Sequence, residues 1–270
     1  MIGIIGGSGF YSLLEGAEEK DIVTPYGKTS SPVMIVKING KDVAFIARHG
    51  LHHEYPPHKV PYKANIFALY ELGVRQIFSA SAVGSLKTEI KPGDFCVPDQ
   101  SVNFTHGRDD TYYHGKESLC EDHAKSVVHI SSADPFCHEL RNILIKAVQK
   151  IALPVHEKGT IVVINGPRYS SRAESTFFRT HNWEIIGMTL YPEYVLAREL
   201  EMCYANISLV TDYDTGVHED PSIEPVSSQE VIQRFKENSE KIKNIILNAI
   251  EQVPEQRNCV CANALEGARM

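Results

Sequence analysis

The chain has 270 residues, 43% of them hydrophobic and 23% charged, which is the balance of an ordinary globular protein with a sizeable core. Its net charge of −7, without a block of lysine and arginine, argues against a nucleic-acid partner, because such binding needs a basic surface. No apolar run is long enough to span a bilayer and the amino terminus lacks the signal-peptide pattern, so we expect a cytoplasmic protein.

Predicted strands and helices alternate along the amino-terminal half of the chain. Strands are predicted at residues 2–5, 33–38, 43–47 and 77–82, and a helix is predicted at 62–72. Asn39-Gly40 between the second and third of these strands is a strong hairpin signal, and Gly73 ends the helix.

The same alternation continues through the carboxyl-terminal half. Asp134 and Pro135 predict a helix start, and apolar residues at 140, 143, 144, 147 and 151 share one helical face. Strands are predicted at 160–164, 185–188 and 207–210, and Ser171 with Glu174 has the spacing of a capping box. A last helix is predicted over 228–253 and ends at Pro254. No repeat or linker divides the pattern, so we expect one α/β domain over 1–270 with a C-terminal tail from about residue 254.

Six cysteines are too few for a secreted disulfide scaffold in a chain of this length. Four of them are expected to be free buried thiols: Cys96, Cys120, Cys137 and Cys203. Cys259 and Cys261 differ, because they form a Cys-Val-Cys pair in the tail, where structural thiols are unusual. A disulfide within Cys259–Cys261 or Cys137–Cys203 would fit a hyperthermophilic source, in which intracellular disulfides occur.

Four glycine-rich or polar clusters directly follow predicted strands, where open α/β sheets bind ligands. They are Gly-Gly-Ser-Gly at 6–9, Arg-His-Gly at 48–50, Ser-Ala-Ser-Ala-Val-Gly-Ser at 79–85 and Thr-Asp-Tyr-Asp-Thr-Gly at 211–216. Glycine loops let backbone N–H groups approach an anion, and Arg48 offers a fork for phosphate or carboxylate. Each cluster also has a plain structural alternative, namely a tight turn, a solvated loop, close packing or strand-ending aspartates.

The histidines and aspartates of these clusters suggest different chemistry. His49, His52 and His53, with His58, resemble a metal-ligand set, but no cysteine or carboxylate completes a zinc site there, so we expect no metal. Asp212 and Asp214 stand at i and i+2 at a strand end and point to the same side. One of them could protonate a leaving group while the other fixes it.

The order of eight motifs resembles that of the trimeric purine nucleoside phosphorylases, in particular the methylthioadenosine phosphorylase branch. They are GIIGGSG (3–9), TPYGKTS (24–30), ARHG (47–50), SAVGSL (81–86), PGDF (92–95), NGPRYSSRAES (165–175), GMTLYPE (187–193) and TDYD (211–214). The resemblance implies a single α/β domain with a twisted mixed central β-sheet flanked by helices. The Cys-Val-Cys tail resembles that of hyperthermophilic archaeal members, which are typically hexamers built as dimers of trimers.

The resemblance also implies an activity and a site. The activity is phosphorolysis of 5'-methylthioadenosine to adenine and 5-methylthioribose 1-phosphate, without metal or organic cofactor and with inorganic phosphate as co-substrate. The implied phosphate site is Ser8, Arg48, His49, Ser81, Ala82 and Thr189. Met188 would contact the ribose and Tyr169 the purine.

Four further residues complete the implied site. Asp212, as general acid, and Asp214 would bind N7 and the 6-amino group of adenine. Val231 would lie near the 5' substituent, together with His129 from a neighbouring subunit.

Several positions depart from the family pattern and leave substrate preference open. Ser8 and Ser81 stand where threonine is common in animal enzymes. Val83 stands in place of a cysteine, Gly187 in place of an asparagine, and Gly216 where a tryptophan is frequent. The alternative within the class is a broad or 6-oxopurine phosphorylase acting on adenosine, inosine, guanosine or methylthioinosine, in which we would expect asparagine in place of the aspartate pair.

Outside the class, the alternatives are a metal hydrolase on the histidine cluster and a dinucleotide-binding oxidoreductase. The second is disfavoured because position 12 is serine, which breaks the G-x-G-x-x-G spacing.

Overall fold

The structure is a computed structural model, and it describes residues 1–7, 10, 15–215 and 223–270. The strands of this part are β1 Ile2–Gly6, β2 Glu18–Lys20, β3 Val23–Thr24, β4 Gly27–Lys28, β5 Val33–Ile38, β6 Lys41–Ala47, β7 Gln76–Ser85, β8 Phe95–Cys96, β9 Gln100–Phe104, β10 Val155–His156, β11 Thr160–Ile164, β12 Ile185–Gly187 and β13 Cys203–Asp212. The α-helices are α1 Tyr62–Glu71, α2 Glu121–Ala124, α3 His138–Lys150, α4 Arg172–Thr180, α5 Leu190–Glu199, α6 Ser228–Glu237 and α7 Ser239–Gln252.

Eleven of these strands form one mixed sheet, in which the order β10-β8-β13-β7-β1-β6-β5-β2 is continuous. β12 pairs with β7, and β11 and β9 follow beyond it, while β3 and β4 form a separate hairpin. The centre is parallel, because β1 pairs in parallel with β6 and β7, and β7 pairs in parallel with β13. Antiparallel pairs join the outer strands to this centre, as in β5–β6, β12–β7 and β13–β8, which makes the sheet mixed. The predicted fold class is therefore confirmed.

Helices cover both faces of the sheet. α3 packs against α7, and α1 packs against α5. Alternate residues of β13 belong to two different apolar clusters, since Cys203, Ala205 and Ile207 pack with α3 and α7, whereas Tyr204 packs with α1 and α5. Both faces of the central strands are therefore buried, so the polar residues that β7 and β13 carry need partners inside the protein.

Most predicted elements are confirmed with small shifts at their ends. The hairpin turn has Asn39 and Gly40 at φ of 49° and 78°, as a turn of the predicted kind requires. Ser171 and Glu174 form both hydrogen bonds of the capping box at the start of α4.

Two predicted helix boundaries are wrong. The helix expected from Asp134 begins only at His138. Phe136 and Cys137 are buried, Cys137 has an extended backbone, and its N–H donates to the Tyr204 carbonyl at 2.8 Å. The helix expected over 228–253 is two helices, α6 and α7, that meet at Asn238. The side-chain amide of Asn238 donates to the Arg234 carbonyl at 2.8 Å, a local hydrogen bond that favours a helix end.

Residues 254–270 lie against the rest of the chain. Cys261 and Ala268 are buried, and Arg269 forms a β-bridge with Val128. All six cysteines are free thiols in this structure. Within the described ranges, none of the helices combines the length and the apolar character that crossing a membrane would demand.

Candidate active site

The carboxyl ends of the central parallel strands open into a cavity of about 680 Å³. Gly7 follows β1 and Arg48 follows β6, and both line the cavity together with the second half of β7 and the last two residues of β13. The side next to α6 is formed by Val231, Ile232, Phe235 and Lys236. Polar residues at the strand ends and apolar residues of α6 thus line the same cavity.

Ten of the twelve residues expected at the site line this cavity. They are Arg48, His49, Ser81, Ala82, Tyr169, Met188, Thr189, Asp212, Asp214 and Val231. Ser8 lies outside the described residues. His129 is exposed and does not line the cavity of its own chain; its backbone N–H donates to the Ala268 carbonyl at 2.9 Å. Its expected role beside a neighbouring subunit stays a prediction.

Arg48 is buried and held by a carboxylate behind it. Its Nε donates to Glu193 Oε2 at 2.7 Å and its Nη2 to Oε1 at 2.9 Å, while Nη1 donates to the Ala80 carbonyl at 3.0 Å. Nη2 also donates to Ser79 Oγ at 2.6 Å. Burial alone would lower the pKa of Arg48, but the adjacent Glu193 carboxylate outweighs it and the pKa rises. Of the five N–H groups of the guanidinium, one Nη1 hydrogen is left for a ligand within the described part of the protein.

The two strands beneath Arg48 carry a buried polar network. Asn206 of β13 stands beside Ser79 of β7 in the sheet and donates to its Oγ at 3.1 Å. Ser81 donates to Asn206 Oδ1 at 3.2 Å, and Tyr204 donates to Glu193 at 2.7 Å. Because the partners are satisfied, the network holds Arg48 in one orientation.

His49 is neutral at pH 7. Its Nδ1 lies 2.8 Å from the Tyr55 carbonyl, which can only accept, so Nδ1 carries the proton and Nε2 has a free lone pair. Burial first, and then the charge of Arg48, lower the pKa of His49 to about 4. Its ring stacks on that of His53, with 4.5 Å between the ring centroids.

Asp212 ends β13 with its carboxyl group buried. Thr211 Oγ1 donates to one oxygen and the Asp214 N–H to the other, both at 2.8 Å. Burial raises the pKa of Asp212 to about 6, and the two hydrogen bonds offset part of that rise. A carboxyl group with this pKa exchanges a proton readily near neutral pH, which is what a general acid requires.

Asp214 is also buried, at a positive φ of 53° that aspartate tolerates better than most residues. Burial raises its pKa, and the nearby hydroxyl groups of Ser175 and Ser170 lower it in part. Neither hydroxyl group completes a hydrogen bond to Oδ2, and this oxygen has no hydrogen-bond partner among the residues that the structure describes. A buried acceptor of this kind favours a ligand that brings a donor.

The strand β7 sets the distance between these polar groups. Arg48 donates to Ala80, whereas Asp212 lies beside Gly84, four strand residues or about 13 Å further along. A Cβ atom at Gly84 would lie 2.8 Å from Asp212 Oδ1 and 3.0 Å from Ile186 Cγ2. The absence of a side chain at position 84 therefore leaves space for the Asp212 carboxylate.

Two loops that enclose the cavity are tied by Arg108. Its Nη2 donates to the carbonyls of Asn165 and Met188, each at 2.8 Å. Tyr169 Oη lies 3.2 Å from Ser228 Oγ, so the loop after Asn165 also contacts the start of α6. Arg108 and Glu193 are functional candidates that sequence reasoning missed. For Glu193 there was a signal, because an acid in the apolar start of α5 needs a buried partner.

Comparisons with known proteins all point to one family. The family model of the phosphorylase superfamily matches residues 1–251. The chain is 53% identical over 265 residues to the S-methyl-5'-thioadenosine phosphorylase of Pyrococcus abyssi, covering 98% of this chain and 97% of that protein. It is 45% identical over 268 residues to the 6-oxopurine nucleoside phosphorylase of Pyrococcus furiosus, covering 99% and 98%.

A solved structure has the same fold. The methylthioadenosine phosphorylase of Schistosoma mansoni in complex with adenine superposes with a TM-score of 0.91 at 32% identity. The match covers 100% of this chain and 98% of that chain.

Proposed function

This chain belongs to the phosphorylase superfamily, and we propose that it cleaves 5'-methylthioadenosine with inorganic phosphate to adenine and 5-methylthioribose 1-phosphate. One observation carries the proposal: a single cavity joins a fixed guanidinium at Arg48 to a buried, protonatable carboxyl group at Asp212. The reaction needs a cation for the nucleophile and a proton for the leaving base, and these two groups supply them.

Phosphate is the nucleophile, so the protein needs to position it and not to form a covalent intermediate. We assign it to Arg48, Thr189, Ser81 and the backbone of Ala82, with Ser8 as a further hydroxyl donor. The remaining Nη1 hydrogen of Arg48 gives one charge-assisted hydrogen bond to an oxygen of the anion. Holding the anion against C1' of the ribose replaces a bimolecular encounter by an oriented one.

His49 fits the hydrogen phosphate dianion in its neutral form. Its Nε2 lone pair can accept the hydrogen of the P–OH group, because Nδ1 already donates to the Tyr55 carbonyl. The depressed pKa of His49 keeps this acceptor available at neutral pH. Donors at Arg48 and an acceptor at His49 therefore suit a partly protonated anion.

Asp212 acts on the leaving base. As the glycosidic bond breaks, electrons move into the purine and N7 becomes more basic. Protonated Asp212 donates to N7, and general-acid help of this kind is typically worth about 10²–10⁴-fold. Asp214 accepts from the 6-amino group through its unpartnered oxygen, which favours adenine over 6-oxopurines.

The rest of the nucleoside meets less polar residues. Met188 and Tyr169 line the part of the cavity that we assign to the ribose and the purine. Val231 and Phe235 on α6 offer apolar contacts that suit a methylthio group better than a hydroxyl group. No metal or organic cofactor has a role in this scheme, and its products suit purine and methionine salvage.

The enzyme is proposed to work as a homo-oligomer, a trimer or a hexamer. His129 is exposed on the surface of its own chain, and we assign it to the 5' region of a neighbouring subunit's site. Small molecules, phosphate and nucleoside, are its substrates.

Base release from four nucleosides with and without phosphate tests the proposal. We expect adenine release from 5'-methylthioadenosine only when phosphate is present, and kcat/KM at least about a hundredfold lower for inosine and guanosine. Adenosine measures how strictly the 5' region selects. Comparable rates on inosine and adenosine would reduce the function to a general purine phosphorylase, and release without phosphate would make the protein a hydrolase.

A further inference from the structure

Arg108 lies behind the wall of the cavity and holds two of the segments that form it. Its Nη2 donates to the carbonyls of Asn165 and Met188, each at 2.8 Å, and its Nη1 donates to the Tyr191 carbonyl. Its Nε donates to Asn165 Oδ1 at 3.3 Å, and Nη1 also donates to Tyr62 Oη at 3.4 Å. All five N–H groups of this guanidinium therefore have an acceptor in the protein, and Arg108 itself does not line the cavity.

We propose that Arg108 is a positioning residue for phosphorolysis, which fixes the backbone beside the residues assigned to the ribose and the purine. This inference rests on the function proposed above. Met188, whose carbonyl Arg108 binds, is the residue assigned to the ribose. Asn165 begins the loop that leads to Tyr169, the residue assigned to the purine. One side chain behind the wall thus determines where two residues stand on the cavity side.

The two segments approach each other closely on the side of the cavity. Gly166 has a positive φ of 64°, and a Cβ atom there would lie 2.7 Å from Met188 Sδ and 3.2 Å from Pro57 Cγ. The Met188 side chain therefore packs where position 166 has no side chain. Because Arg108 binds the carbonyls of Met188 and of Asn165, its loss removes the hydrogen bonds that hold the two segments together.

The guanidinium group suits this task because its donors lie in one rigid plane. Carbonyl oxygens from Asn165, Met188 and Tyr191 converge on it, and hydrogen bonds from a charged donor are stronger than those from a neutral one. The ammonium group of a lysine is a point charge on a flexible stem and cannot reproduce this fork.

The phosphate end is held by a different network. Arg48 is fixed by the Glu193 carboxylate and the Ala80 carbonyl, none of which Arg108 contacts. Loss of Arg108 should therefore disturb the placement of the nucleoside more than the binding of phosphate. This difference separates a positioning role from a general loss of structure, which would affect both substrates.

Steady-state kinetics of Arg108→Ala, with each substrate varied in turn, provide the test. We expect kcat to fall and the KM for 5'-methylthioadenosine to rise, so that kcat/KM falls by about 100-fold, the effect of a misplacement of about 1 Å. The KM for phosphate should change little. Added guanidinium ion should raise kcat/KM of this variant by roughly tenfold, because a planar cation can occupy the vacated, half-exposed position.

Arg141→Ala is the matched control. Arg141 also donates to three backbone carbonyls, those of Pro98 at 2.8 Å, Val97 at 3.1 Å and Glu157 at 2.6 Å. None of these three acceptors, all within the described ranges, lines the cavity. This variant should lose stability to denaturant, whereas its kcat/KM should stay close to that of the wild type and should not respond to guanidinium.

Three results would overturn the proposal. The first is a kcat/KM of Arg108→Ala within about threefold of the wild type. The second is a loss that guanidinium does not restore, or that Arg141→Ala shows equally, because the effect would then be one of folding alone. Should Arg108→Ala fail to fold, Arg108→Lys decides, and wild-type kinetics in that variant are the third such result.

The wild-type protein separates this inference from the function on which it rests. Wild-type protein that releases no adenine from 5'-methylthioadenosine and phosphate would refute the proposed function and the role of Arg108 with it. An active wild type beside an equally active Arg108→Ala would refute the role of Arg108 alone.

Discussion

The two polar ends of the cavity are built in opposite ways. Around Arg48 the charge is balanced before any ligand arrives, because Glu193 holds the guanidinium with two hydrogen bonds. Around Asp212 and Asp214 two acids are buried side by side, both have raised pKa values, and one oxygen of Asp214 is left without a donor within the described ranges. At the Arg48 end the charge is balanced in the free protein and one N–H group remains for an anion, whereas the aspartate end depends on donors that a ligand brings.

This difference matches what each end has to do. An anion that must be held in one orientation before it attacks benefits from a rigid, preorganised cation. A base that gains negative charge only during the reaction benefits from a group that can give up a proton at that moment. Rigidity at one end and proton exchange at the other are thus properties that separate substitutions can test.

The largest loss of activity should follow from removing the acidic proton of Asp212. Asp212→Asn keeps the shape of the side chain and a donor but removes the acid, so we expect kcat/KM for 5'-methylthioadenosine to fall by about 10²–10⁴-fold. The KM for phosphate should change little, because the variant leaves the Arg48 end intact. Initial rates with each substrate varied measure both. Asp42→Asn, an exposed aspartate paired with Lys37, is the control. A loss smaller than threefold would remove Asp212 as the acid.

The next largest effect is a loss of stability when the Arg48–Glu193 ion pair is broken. Glu193→Ala leaves the buried Arg48 charge without its partner, which typically costs about 3–5 kcal/mol of folding free energy. Denaturant unfolding measures the loss, and phosphate should restore more stability in the variant than in the wild type because it replaces the missing anion. Glu18→Ala breaks an exposed pair with Lys20 and should cost no more than about 1 kcal/mol. Equal costs for the two variants would contradict the balanced-charge account.

The raised pKa of Asp212 predicts how stability depends on pH. Its folded pKa of about 6 exceeds the usual value of 3.8, so protonation favours the folded state. This contribution is fully present below about pH 4 and is lost as the pH rises through 6, by roughly 3 kcal/mol in all. Asp212→Asn should therefore gain stability relative to the wild type between pH 4.5 and 8.

Unfolding free energies at several pH values would measure this gain. Asp42→Asn again provides the reference for an exposed carboxylate. A parallel pH profile for wild type and Asp212→Asn would mean that Asp212 is ionised in the free protein at all these pH values.

The smallest effect should come from Gly84→Ala. The added Cβ would lie 2.8 Å from Asp212 Oδ1, so the carboxylate must move by several tenths of an ångström. A displacement below 1 Å should lower kcat by roughly tenfold, less than removal of the acid does. The KM for phosphate is the internal reference, and an unchanged kcat would mean that the position of this carboxylate is not critical.

The sequence was sufficient for the parts of the fold and site that depend on local pattern. Alternating strand and helix signals predicted the sheet, and polar clusters after strands identified Arg48 and Asp212. Glu193 was missed because its role depends on a contact across 145 positions of the chain. Arg108 was missed for the same reason, because its acceptors Asn165 and Met188 lie 57 and 80 positions away in the chain.

Boundaries were less predictable where tertiary contacts decide them. The start of α3 shifted because Cys137 is bound to the strand residue Tyr204. The apolar stripe that predicted one helix over 228–253 continues through Asn238, so periodicity alone could not locate the break.

The docked carboxyl terminus affects how this protein should be tagged and immobilised. The Met270 N–H donates to the Val127 carbonyl at 3.0 Å, and the Ala268 carbonyl accepts from His129. An affinity tag or surface linker fused after Met270 would emerge beside the segment that carries His129. Met1 is exposed and precedes β1 at the end of that strand remote from Gly6. Purification handles and fluorescent labels therefore belong at the amino terminus, because a C-terminal label would lie beside His129.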